Sequence, residues 1–149
     1  MKTPPWVPIA LAEKRVSEIP GAQANKRIVE YHAATTLKAT SDEVPWCSAF
    51  ACWCVEKAGV KSPKSARARD WLKWGVSVET PFFGCLVIVP RGDNPEQGHV
   101  GFWVAEDSTH VYIYGGNQGN SVCIEAFPKP KYTPLDYRMN EGWQNAPNH

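Results

Sequence analysis

The chain has 149 residues, 43% apolar and 21% charged, with a formal net charge of +1. This is enough apolar sequence for a proper core, read as one domain over 1–149 with its core at about 5–138. The near-neutral charge gives no electrostatic footprint for nucleic acid or an anionic membrane. No stretch reaches the roughly 18 apolar residues of a membrane span, and Met1-Lys2-Thr3-Pro4-Pro5-Trp6 lacks the apolar segment of a secretory signal.

The first half reads helical. Pro5 to Ile19 opens on prolines, carries Trp6, Ile9, Ala10 and Val16, and stops at Pro20-Gly21. Asn25 is placed to cap a second helix to about Thr36, with Ile28, Tyr31, His32 and Thr35 at helical spacing. A third helix is expected from about Pro45 to Ala58, stopped by Gly59, with Cys47, Phe50, Ala51, Cys54 and Ala58 on one buried face. A fourth starts near Ser62-Pro63, carries Trp71 and Trp74, and ends at Gly75. The basic run from Lys61 to Arg69 reads as a solvated loop and helix face, not a binding patch.

The second half reads as strands. Cys85 to Val89 is a short apolar run between Gly84 and Pro90-Arg91-Gly92. His99 to Ala105 and the alternating His110 to Tyr114 follow, then a turn at Gly115-Gly116-Asn117-Gln118-Gly119-Asn120 and a strand at Val122 to Ile124. A last weak strand lies near Leu135 to Arg138, and the polar tail from Asn140 is expected to be loosely held. Helices followed by consecutive strands predict an α+β fold with an antiparallel sheet.

Five cysteines form an odd set with no disulfide-scaffold spacing and no Cys-x-x-Cys pair for zinc, which points to a reducing compartment and no bound metal. Cys47 stands apart. It begins the third helix, where unpaired N–H groups and a partial positive charge favour thiolate over thiol. His99, 52 residues on, follows Gly98 at the start of a strand. A thiol at a helix end and an imidazole on a facing strand are the parts of a cysteine nucleophile with its base. A third group that orients the imidazole is expected on the neighbouring strand or the turn after it. Asn117, 18 residues past His99, is the first choice, with Gln118 and Asn120 as rivals and an ordinary hairpin turn as the competing reading.

Trp-Cys-Ser-Ala-Phe at 46–50, Gly-x-Leu-Val-x-x-x-Arg-Gly from 84, Gly-His-Val-Gly-Phe at 98–102 and Gly-Gly-Asn-Gln at 115–118 occur in that order. Together they resemble the CHAP and NlpC-type cell-wall hydrolases, and more closely a compact phage and bacterial branch of that superfamily. The resemblance implies a papain-like fold, with Cys47 as nucleophile, His99 as base and Asn117 as the polar third member. Peptidoglycan is then the substrate, cut at an amide in the stem peptide or at its junction to sugar, with contacts from Trp46, Asp42 and Gln118. Many NlpC-type enzymes carry Asp immediately before the cysteine; here Trp46 takes that place.

The expected chemistry is cofactor-free: thiolate attack, protonation of the leaving amine by His99, then hydrolysis of the thioester by water. A monomer made in the cytoplasm is expected, acting in the periplasm or wall after release through a holin, as an endolysin, or after injection as an antibacterial effector. An immunity protein would be its partner in the second case. The alternatives are a thioester acyltransferase or transglutaminase-like enzyme on the same fold, and a non-enzymatic phage structural or binding protein.

Overall fold

A computed structural model describes residues 3–19, 25–38 and 45–143. Three short α-helices, α1 (Val7–Leu11), α2 (Lys26–Ala33) and α3 (Cys47–Lys57), precede a 3-10 helix at Ala68–Lys73. Six strands follow: β1 (Val76–Ser77), β2 (Leu86–Pro90), β3 (Gly98–Glu106), β4 (His110–Gln118), β5 (Ser121–Pro128) and β6 (Asp136–Met139). They form one sheet in the order β1-β6-β2-β3-β4-β5, and every pairing is antiparallel. The fold is α+β.

α3 is the central helix. Its residues from Cys47 to Val55 are all buried, and it packs against α1, α2, β3 and β4. The expected single buried face is therefore too narrow: a helix enclosed by other helices and a sheet is apolar all round. Its C-terminus closes as the sequence suggests. Gly59 takes φ +84°, and the N–H groups of Gly59 and Val60 bond the carbonyls of Glu56 and Val55, which caps the last turn. α2 is likewise set by its cap, since the Asn25 side chain accepts from the Arg27 N–H.

The long first helix expected over Pro5–Ile19 shrinks to α1. After Arg15, at φ +77°, the backbone runs beside the start of β5: the Arg15 N–H bonds the Val122 carbonyl and the Val122 N–H bonds that of Val16. The fourth helix shortens to its 3-10 turn, because the Ser65 hydroxyl draws the Arg67 N–H and bonds Asp70, a local alternative to helical bonding. The two-residue β1 has no sequence signal. The tail is packed as far as it is described, with Trp143 stacked on Phe82 at 5.8 Å.

The largest departure lies in β4. The expected turn at 115–120 is strand as far as Gln118, interrupted by a bulge between Gly115 and Gln118. Asn117 carries the bulge at φ +57°.

The main core lies between helices and sheet, around Trp6, Ile28, Tyr31, Trp46, Phe50, Trp71, Leu86, Ile88 and Val100. The opposite sheet face holds a smaller cluster of Val87, Val89, Val111, Ile113 and Phe127.

Candidate active site

Cys47 opens α3, and both neighbours are tied down. The Trp46 indole donates to the Glu18 carboxylate at 2.9 Å. Ser48 Oγ donates to the Ser65 carbonyl at 2.6 Å and accepts from the Trp71 indole at 2.9 Å. The thiol is thus held at the helix end by buried groups on either side in sequence. Gly116 lets β4 approach this turn: a Cβ there would stand 2.7 Å from the Trp46 ring and 2.8 Å from the Phe50 Cβ.

His99 lies on β3, opposite Val89 of β2. The turn before it is tied to the 3-10 helix, where Arg69 Nε donates to the Gln97 carbonyl at 2.5 Å. The His99 ring stacks on Phe127 at 5.2 Å, is hydrogen-bonded to Gln118, and faces the Cys47 thiol closely enough for each group to shift the ionisation of the other. Its Nε2 lies 2.9 Å from Gln118 Oε1, which leaves Nδ1 for the sulfur.

The tautomer follows from the surroundings of Gln118. Its amide nitrogen donates to the Ile113 carbonyl at 2.9 Å and the Cys123 carbonyl at 2.7 Å. Both amide hydrogens are therefore used, and the oxygen must face His99. An acceptor at that point requires a proton on Nε2, so Nδ1 is the atom that exchanges a proton with Cys47. Gly115 makes room, since a Cβ there would stand 2.8 Å from Gln118 Oε1.

The hydrogen bond to His99 expected of Asn117 is made by Gln118. Strict alternation along a strand would set residues 115 and 118 on opposite faces. The bulge advances the phase by one residue, so Gln118 comes over Gly115, 2% exposed, while Asn117, the bulge residue, is half-buried at the edge of the groove beside His99. Trp46 is also corrected: its ring is fully buried, so it supports the nucleophile's turn from behind and offers substrate no surface. Asp42, the other expected substrate contact, lies outside the described residues. Asn120 sits in the turn beyond β4 at φ +64°.

Burial pushes the Cys47 thiol up, but the charge and hydrogen bond of His99 and the backbone N–H groups of Val100 and Ser48 outweigh it, and the thiol falls below its ordinary value. His99 is the mirror image: burial pulls it down, while the facing Cys47, the bond to Gln118 and the charge of Glu125 raise it above its ordinary value. Magnitudes show which group is responsible. A helix end contributes about 0.3–1 kcal/mol, less than one pKa unit. Burial, with the Glu106 charge adding to it, pushes Cys85 up to about 12. The His99 charge and hydrogen bond therefore do most to lower the Cys47 thiol, and the Ser48 N–H of the helix start adds to them. Among the described residues no three of His, Cys, Asp or Glu converge as metal ligands.

A nucleophile, its proton carrier and a tautomer-fixing amide suit acyl transfer through a thioester. The model of the CHAP domain matches residues 39–117, a span that runs from just before α3 to the bulge and includes Cys47 and His99. The chain belongs to the CHAP domain family, a peptidoglycan-hydrolase type of amidase and peptidase. No curated protein matches it significantly.

Proposed function

We propose that the chain is a cysteine amide hydrolase of peptidoglycan, working through Cys47, His99 and Gln118. The observation that carries this is the orientation of Gln118: two backbone carbonyls lock its amide so that its oxygen fixes the His99 proton on Nε2.

The Cys47 thiolate attacks the scissile carbonyl, and the oxyanion is received in part by the Cys47 backbone N–H, one of the unpaired donors of the helix start. The tetrahedral adduct collapses as His99 Nδ1–H protonates the leaving amine. The thioester remains on Sγ. Water then enters, His99 takes its proton, and collapse of the second adduct frees the acid and restores the thiolate–imidazolium pair. Gln118 holds the ring through both halves of the cycle. The bond cut is an amide in the stem peptide or at its junction to sugar. The substrate lies outside the membrane, so action in the wall compartment, after holin release or injection, belongs to the same proposal.

Purified peptidoglycan incubated with the protein should release soluble muropeptides, and mass spectrometry of the new termini identifies the amide cut. Products in which an added amine replaces the hydrolytic water would establish the acyltransferase alternative. No release by the wild-type protein, with Cys47 intact and reactive, would overturn the hydrolase.

A further inference from the structure

A groove opens beside His99 on the sheet face away from α3. Its lining includes Arg91, His99, Asn117, Glu125, Phe127 and Tyr132, and not Cys47. Its floor is aromatic and fixed: Phe127 stacks on the His99 ring, and Tyr132 stands edge-on to Phe127 at 5.1 Å. Its two charges are opposite. Arg91 is exposed just past β2; Glu125 is half-buried on β5, paired with Ile113 of β4. The Glu125 carboxylate leans toward the turn that follows Gln118, 4.0 Å from where a Gly119 Cβ would stand.

Most comparable charges nearby are paired, as Glu106 is with Lys129 at 2.6 Å and Asp136 with Arg138 at 2.9 Å. Arg91 and Glu125 make no ion pair or side-chain hydrogen bond with each other or with any described residue. A cation and a carboxylate, neither held in an ion pair and the carboxylate's charge also felt by His99, thus line one groove over an apolar floor, beside the imidazole that protonates the leaving amine. The position selects one side of the reaction. The acyl half must lie over Cys47 and the start of α3, and the amine half departs past His99.

On the hydrolase reading above, we propose that this groove is the leaving-group subsite, and that it takes a residue whose side chain ends in both a free carboxylate and a free ammonium. Arg91 receives the carboxylate and Glu125 the ammonium. The methylene stem between that end and the scissile nitrogen lies on Phe127 and Tyr132, where apolar area is removed from water. Such a residue is an α-amino-acid zwitterion carried on a linker, as on an uncrosslinked diamino dicarboxylic acid. A leaving residue with an ammonium alone satisfies only Glu125 and leaves Arg91 without a partner.

The test uses three synthetic stem peptides differing only at the end of the leaving residue's side chain: ammonium with carboxylate, ammonium alone, or methyl. The wild-type protein should cleave the first with a kcat/KM about 1.5- to 5-fold above the second, the gain of one partly exposed ion pair, and the second above the third. Arg91→Ala should erase the first ratio and keep the second. Glu125→Gln should shrink the second and keep much of the first. Ratios within one variant are independent of how much of it folds. Equal cleavage of all three peptides by the wild type, or ratios untouched by Arg91→Ala, would overturn the subsite and leave the hydrolase standing. Cleavage of none by a protein whose Cys47 still alkylates would overturn both.

Discussion

α3 carries three thiols, and its two ends treat them oppositely. Cys47, in the first turn, falls below the ordinary thiol value because His99 and two backbone N–H groups offset its burial. Cys54, two turns later, is pushed well above it by burial and the nearby Glu13 charge, and Cys52 between them is also raised by burial. All three are buried. What separates Cys47 from the other two thiols is therefore not depth but the facing imidazole and the backbone N–H groups around it. The first turn is open to the sheet at the point where Gly116 lets β4 come close and β3 begins with His99; the later turns meet α2 and the aromatic core.

Substitution at both ends of α3 is the strongest challenge to that contrast. Cys47→Ala should lower peptidoglycan clearing by at least ~10³-fold with the melting temperature little changed. Cys54→Ala should keep activity per folded molecule and lose on the order of 1 kcal/mol of stability through the small void it leaves. Clearing assays and thermal melts on both variants check this; loss of activity in Cys54→Ala at full folding would erase the distinction. Next in size is the base: His99→Ala should cut turnover by about 10²- to 10⁴-fold, measured on the same substrate at constant folded concentration.

A smaller effect is expected at Gln118. Removing one hydrogen bond from the charged ring is worth about 1.5–3 kcal/mol, so Gln118→Ala should slow turnover by about 10- to 100-fold, with Gln118→Glu recovering part of the loss. The smallest is at Asn117. Since it holds φ +57° and makes no bond to His99, Asn117→Gly should leave turnover unchanged and stability equal or slightly higher. A loss from Asn117→Gly larger than that from Gln118→Ala, with both variants folded, would return the orienting role to Asn117.

The helix start with its thiol and the strand start with its glycine-preceded histidine were legible because each depends on a local rule: a helix boundary and a strand opening. Gln118 was named in the sequence only as a rival to Asn117 and a substrate contact. Its role was hidden because one bulge reverses the face of every residue after it, and Asn at a glycine-rich turn satisfies the same local preferences whether the strand ends or bulges. The one signal was the Gly115-Gly116 pair, whose missing side chains make room for Gln118 on one face and Trp46 on the other. Trp46 was misplaced for a related reason: adjacency to a nucleophile in sequence says nothing of which way a side chain leaves the first turn. The short 3-10 helix and β1 depend on tertiary contacts that no local pattern encodes.

The most direct measurement is the rate at which iodoacetamide alkylates Cys47 as a function of pH, read by mass spectrometry of the Cys47 peptide in the wild type and in His99→Ala. A depressed thiol keeps its thiolate to lower pH, so wild-type alkylation should rise through an inflection below the ordinary thiol value. Without His99, burial is no longer offset, and the inflection should move above that value. Superimposable curves for the two proteins, or a wild-type inflection at or above about 8.5, would contradict the thiolate–imidazolium pair.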